Sequence, residues 1–224
     1  MLDGNTSTAN KSPNGTASFK KDAGKPASAT ITVSTANAGP ATNAASGGYY
    51  YNTRATVSVT PNQDITSGVR GVRIQVLGAN ASLGDKIYNT TGAKGIDITV
   101  EGDTTINAWT VDNAGNQSEA VRSVTIHLDN TAPVRPTLAI TTTRSAYSTA
   151  ADPWFNNQTV SVSITRGADY GGYQTGAYQI GYGTRTLGST AKPGLTYTTG
   201  STATVNVTAA GKTEVVAYTY DKAG

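Results

Sequence analysis

The chain repeats itself, and the repeat limits what it can fold into. Ala108-Trp-Thr-Val-Asp-Asn-Ala-Gly115 returns 109 residues later as Ala217-Tyr-Thr-Tyr-Asp-Lys-Ala-Gly224. Thr56-Val57-Ser58-Val59 matches Thr159-Val160-Ser161-Val162 at an offset of 103. Ser67-Gly68-Val69 with Val72 and Ile74 matches Thr175-Gly176-Ala177 with Ile180 and Tyr182 at 108. A partial third copy begins at Phe19: Asp22 and Pro26, then Ile31 and Val33, parallel Asp129 and Pro133, then Leu138 and Ile140, at an offset of 107. A period this long marks one structural unit built twice. The small differences in offset fall between apolar runs, where surface loops tolerate insertions. The Asp-x-x-x-Pro element recurs where one unit gives way to the next, and proline with polar flanks reads as a linker. The expected organisation is an N-terminal segment over 1–22, a first module over 23–131 and a second over 132–224.

Within each unit apolar and polar residues alternate with period two, the signature of half-buried strands. The clearest runs are Thr56–Thr60, Val72–Val76, Ile96–Val100, Ile106–Val111 and Val121–Leu128, then Val160–Ile164, Ala177–Tyr182, Ala203–Val207 and Val215–Tyr220. Only 37% of the 224 residues are hydrophobic and 25 are glycine, which suits many short strands joined by polar turns and leaves no long amphipathic helix. The predicted fold class is all-β, as tandem immunoglobulin-like β-sandwich modules of about seven strands each. A single barrel would not repeat its strands. With no cysteine, such sandwiches hold together without an inter-sheet disulfide. No apolar run is long enough to span a membrane, and residues 1–20 lack the apolar stretch of a signal peptide. The 17 basic and 14 acidic side chains are scattered, so no basic stripe exists to track a phosphate backbone and no nucleic-acid partner is expected.

Gly102-x-Thr104-x-Ile106-x-Ala108-x-x-x-Asp112-Asn-Ala-Gly-Asn116, followed by Leu128-Asp-Asn-Thr-Ala-Pro133, resembles the bacterial Ig-like repeats of large surface adhesins, over almost all of both modules. The resemblance implies that the D-x-A-G-N turn joins the last two strands and that D-x-T-A-P links successive modules. It implies an extracellular, surface-displayed bacterial protein whose partners are neighbouring Ig-like modules. The second copy departs from the pattern, reading Asp221-Lys222 and stopping at Gly224. Relatives in this group stiffen module junctions with Ca²⁺ held by carboxylates and turn carbonyls, the hard oxygen ligands that ion requires. Carried over, this makes Asp22, Asp112, Asp129 and Asp221 candidate calcium ligands; no other cofactor is expected. The simpler reading is that each Asp caps its own turn, and no D-x-D-x-D-G loop is present.

The stop at Gly224 matters physically. The first module continues past its Asp112 turn into Val121–Leu128, whereas the second has no such segment, which leaves an unpaired sheet edge. Residues 16–21, with Ala17 and Phe19 as the candidate donor-strand residues, resemble an orphan last strand. Either the chain is a stretch of a longer array, or this strand completes the second module of a neighbouring molecule and builds head-to-tail filaments.

Chemistry-bearing residues are sparse. His127 is the only histidine, alternates with Ile126 and Leu128 on an outward face, and reads as a solvated strand residue. No nucleophile elbow or acid–base pair stands out, and no enzymatic activity is expected. If Ile106, Ala108 and Thr110 face inward, Trp109 and Val111 face outward. The same parity sends Val215 and Ala217 in and Val216, Tyr218 and Tyr220 out, with Tyr178 and Tyr182 on a strand placed to neighbour them. Such rings either pair across strands or form a platform for a sugar or a neighbouring subunit. In Tyr49-Tyr50-Tyr51 the central ring points opposite to the other two. Eight Asn-x-Ser/Thr triplets, at Asn5, Asn10, Asn14, Asn80, Asn89, Asn116, Asn157 and Asn206, are unremarkable in so Asn- and Thr-rich a chain.

The expected role is a non-catalytic spacer or stalk of a bacterial surface adhesin or fibre, with receptor specificity carried elsewhere. Its rivals are a strand-donating fibre subunit, a carbohydrate-binding accessory module of a secreted enzyme using Trp109, Tyr218 and Tyr220, and a phage-decoration module.

Overall fold

The computed structural model describes residues 19–143, 149, 153–156 and 159–224, and these are almost entirely strand and turn. The strands of the first half are β1 (Thr30–Val33), β2 (Gly48–Tyr51), β3 (Ala55–Thr60), β4 (Val69–Gly78), β5 (Asp85–Tyr88), β6 (Lys94–Ile98), β7 (Gly102–Asp112) and β8 (Arg122–Leu128). Those of the second are β9 (Thr137–Ile140), β10 (Val160–Thr165), β11 (Ala177–Thr186), β12 (Thr196–Thr198), β13 (Thr202–Val207) and β14 (Thr213–Asp221). Among the described residues no helix is long and apolar enough to cross a membrane.

The first half is sandwich-like, with sheet β1-β3-β6 facing sheet β2-β8-β7-β4-β5. All its pairings are antiparallel except that of β2 with β8. Alternation does the sorting: in β3, Ala55, Val57 and Val59 are buried while Thr56, Ser58 and Thr60 are not. Val57, Val59, Ile96 and Ile98 of one sheet meet Val72, Ile74, Val76, Ile106, Ala108, Ile126 and Leu128 of the other in one continuous core. Tyr49 and Tyr51 of β2 also turn into it, and the enclosed Tyr51 hydroxyl donates to the Ser34 carbonyl, the partner a buried phenol needs. The second half echoes this with sheets β13-β10-β9 and β12-β11-β14 around a smaller core of Ile164, Ile180 and Val205, flanked by Tyr182, Ala203, Val207, Val215 and Ala217.

The halves share their irregularities too. The register of β4 against β7 jumps between Val69 and Gly71, and that of β11 against β14 jumps between Ala177 and Gln179. Arg70 and Tyr178 are therefore bulged residues at the repeat offset of 108. One difference stands out. Strand β7 is flanked by β4 and β8, whereas β14 pairs with β11 alone among the described residues. Of the expected orphan strand, Ala17 lies outside the described residues. Phe19 belongs to no strand and is 88% exposed.

The run over 96–100 leaves its sheet at Ile98 because Asn80 captures the next two residues. Its Oδ1 accepts from the Thr99 and Val100 N–H groups (3.2 and 3.1 Å), and its Nδ2 donates to the Val100 carbonyl (3.0 Å) and the Thr104 hydroxyl (2.8 Å). Asn80 is 2% exposed. Asn80→Ala leaves these groups enclosed without partners and should cost roughly 2–4 kcal/mol, read from urea denaturation; a cost under about half a kcal/mol, the surface-substitution range, would show that the staple is dispensable.

Candidate metal centres

Each half has one end where a link and two loops meet, and three carboxylates converge there. In the first half they belong to Asp22, to Asp64 between β3 and β4, and to Asp112 at the end of β7; in the second they belong to Asp129, Asp169 and Asp221. One carboxylate oxygen from each member lies within 4.8 Å of the other two. Asp22 and Asp129, Asp64 and Asp169, and Asp112 and Asp221 are 107, 105 and 109 residues apart, so the two triads recur at nearly constant spacing. Sequence reasoning pairs Asp22 with Asp129 and Asp112 with Asp221 but misses Asp64 and Asp169. The loop carrying them runs four residues from Asp64 to Gly68 and seven from Asp169 to Gly176, and the insertion hides the correspondence. The trace it leaves is the Ser/Thr-Gly pair that ends both loops.

Those glycines have a local reason. Gly68 and Gly176 sit at φ of +81° and +92°, where a side chain is strained. In that conformation each turns its N–H onto its loop aspartate, Asp64 Oδ2 (2.7 Å) and Asp169 Oδ2 respectively. The four aspartates named from sequence cap their own turns as well. Asp22 accepts from the Gly24 N–H (2.8 Å), Asp112 from Asn116 (2.7 Å), Asp129 from Thr131 (3.2 Å) and Asp221 from Gly224 (2.6 Å). Asp129 also accepts from the Thr175 N–H (2.9 Å) and hydroxyl (3.1 Å), tying the link to a loop of the second half.

Turn capping accounts for each residue singly and leaves the convergence unexplained. Asp112, Asp129 and Asp221 are 0%, 1% and 2% exposed, and among the described residues no ion pair reaches any of the six carboxylates. Two like charges this close repel by roughly 3–4 kcal/mol at an effective dielectric near 20. Burial pushes the Asp221 carboxyl above its ordinary range and the neighbouring Asp129 and Asp169 carboxylates push it further, against the pull of the Gly224 and Ala223 N–H groups. In the first triad, Asp22 Oδ2 is enclosed with no hydrogen bond to it. An anionic, all-oxygen set with an orphaned acceptor, and no sulfur or nitrogen ligand, fits a hard divalent cation of the calcium kind.

The aromatic expectations need correction. Trp109 faces outward, but the Arg73 guanidinium lies over its ring at 5.0 Å and closes that face. Val111 is 1% exposed, because the chain after the Asp112 turn folds back and Gln117 bridges to it. Tyr182 packs into the core beside Ile180, and Tyr178 is the bulged residue. Tyr218 and Tyr220 do face outward as a tilted pair, joined by Tyr197 from β12, which has no alternation to reveal it. His127 is not simply solvated: it stacks on Tyr50 (4.5 Å between centroids), pairs with Asp103 and meets the Tyr173 hydroxyl of the second half (3.3 Å).

No protein-family model matches the chain, and no curated protein matches it in sequence.

A raised carboxylate pKa means the folded state holds the proton more tightly than the unfolded chain. The Asp221 contribution to stability is therefore full below the ordinary aspartate value of 3.8 and is lost as pH rises through the raised one. In cation-free buffer, Asp221→Asn should raise the melting temperature at pH 7 by a few degrees and leave it unchanged at pH 3.5. A lowered midpoint at pH 7 would show that the charge is stabilising where it sits.

Proposed function

We propose that this chain is a mechanical spacer, two Ig-like β-sandwich modules in series from a bacterial surface adhesin or extracellular fibre, with a calcium ion tying each link to the module that follows it. The duplicated triad carries this reading. Each copy takes one carboxylate from the link and two from loops of the next module, so a cation held by all three fastens link to module. Asp22, Asp64 and Asp112 would hold one ion, and Asp129, Asp169 and Asp221 the other. A divalent charge also offsets the crowding of three carboxylates that have no basic partner among the described residues.

The contacts around the second triad support a stiff junction. The Val134 N–H donates to the Ala168 carbonyl (2.9 Å), the Asn52 amide to the Gly224 carbonyl (3.0 Å) and the Ala41 N–H to the Lys222 carbonyl (3.3 Å). Gly39 lies so close to the end of the second half that a β-carbon there would fall 2.3 Å from the Ala223 carbonyl oxygen. In this role the chain performs no reaction, and its output is length and stiffness.

Calcium added to chelator-treated protein should raise the melting temperature, by an amount equivalent to about 2.7 kcal/mol for each ion bound at a hundred times the dissociation constant. Titration calorimetry should count two ions, and Asp64→Asn and Asp169→Asn should each remove one. Small-angle scattering should show a narrower spread of shapes with calcium than with chelator. A midpoint and scattering profile indifferent to calcium would remove the reading.

A second reading starts from β14, which pairs with β11 alone among the described residues: a strand from residues 16–21 of another molecule adds to its other side. Negative-stain electron microscopy of the purified chain should then show filaments that vanish when residues 1–21 are deleted. A stable monomer in size-exclusion chromatography would exclude it.

A further inference from the structure

The loop from β10 to β11 keeps both ends of its counterpart between β3 and β4 and gains residues between them. Asp64-Ile-Thr-Ser-Gly68 becomes Asp169-Tyr-Gly-Gly-Tyr-Gln-Thr-Gly176. In each copy the glycine N–H still turns onto the aspartate. Ordering extra residues costs roughly 1–2 kcal/mol of backbone entropy apiece, and the contacts that hold these lie outside the second sandwich. Gly171, at φ of +119°, runs flat across the link: a β-carbon there would lie 3.0 Å from the Thr131 side chain. Thr131 is itself held from both directions, its N–H donating to Asp129 Oδ1 (3.2 Å) and its hydroxyl to Glu101 Oε1 of the first half (3.2 Å). Tyr173 reaches further still. Its hydroxyl donates to Asp103 of β7 and lies 3.3 Å from His127 Nδ1 of β8, whose ring is fixed by stacking on Tyr50. Burial and the Asp103 carboxylate hold the Tyr173 phenol well above its ordinary value, so it keeps the proton it donates.

The same loop serves the second triad on either side of that tyrosine. Asp169 precedes Tyr173, and Thr175 follows it, giving both its N–H (2.9 Å) and its hydroxyl (3.1 Å) to Asp129. At no more than about 3.6 Å per residue, so short a tether passes any displacement of Tyr173 on to both. We propose that the inserted residues are a clasp: Tyr173 docks the second sandwich on the Asp103 and His127 surface of the first and, through its loop, positions Asp129 and Asp169 to take a cation. Tyr173 touches no ion; it is a positioning residue. Docking and cation binding then favour one another by the same factor, as linked equilibria must. The clasp rests on the second triad holding an ion, as the spacer reading has it. The first triad lacks this lever, because the shorter loop over Asp64–Gly68 has no residue at the place of Tyr173.

The test is calorimetric titration of the whole chain with calcium in two backgrounds: Asp64→Asn, which leaves the second triad intact, and Asp169→Asn, which leaves the first. Tyr173→Phe removes only the hydroxyl. It should weaken calcium binding roughly fivefold in the first background and leave it unchanged in the second. Asp103→Ala should weaken the second triad as well, and the two changes together should do no more than Asp103→Ala alone, since both break one contact. In chelator, small-angle scattering should show a wider spread of shapes for Tyr173→Phe than for the unaltered chain. The clasp is overturned, and the two-ion spacer left standing, if Tyr173→Phe moves neither the second triad's affinity nor the scattering, or weakens both triads equally. A chain that binds no calcium in either background removes the spacer's ions and the clasp together.

Discussion

Carboxylates that gather several loops at once are the constraint on which the rest of the molecule depends. A two-layer sandwich seals its middle with apolar side chains and leaves its ends to loops, which have no core of their own to hold them. Here each link end is organised by three aspartates whose oxygens accept N–H groups from the link, from the loop after β3 or β10, and from the turn after β7 or β14. Asp129 shows the consequence most directly: it caps the link through Thr131 and simultaneously satisfies Thr175 in the second half. Swinging the link away would leave the buried Thr175 N–H without a partner, a penalty of about 1–3 kcal/mol for a single group. The same convergence crowds negative charge at each link end.

The middle of the first half was legible in the sequence because inward and outward residues alternate there. Thr56–Thr60 and Ile106–Ala108 sort by parity with no exception. Legibility fails wherever a second strand or a loop decides the outcome. Trp109 has the right parity, but its exposure is set by Arg73 reaching across from β4. Val111 is enclosed by chain that returns after the turn, and His127 by Tyr50 from a strand nearly eighty residues earlier and Tyr173 from the other half. Of the triads, the two motif-bound members could be read from the repeat. The third could not, since loops of unequal length bring Asp64 and Asp169 to equivalent places in space. Tyr197 was invisible because β12 is three residues long, too short to show a period.

Comparing the copies shows which positions the fold fixes. The inward places of β4 and β11 keep an apolar occupant, Ile74 against Tyr182 and Val72 against Ile180, since each must fill the space between two sheets. The bulges at Arg70 and Tyr178 persist, as do the left-handed glycines that turn an N–H onto each loop aspartate. Outward places carry no such obligation. Arg73 and Gly181 occupy the same point of the same ladder and present opposite surfaces, one a guanidinium clamped over indole, the other bare backbone beneath a pair of phenols.

The junction depends on a bare position of the same kind. Gly39 can approach Ala223 only because it lacks a side chain, and close to it the Ala41 N–H and the Asn52 amide reach the Lys222 and Gly224 carbonyls. A side chain at position 39 would meet backbone that cannot give way, so one unadorned residue lets the end of the second half seat against the first.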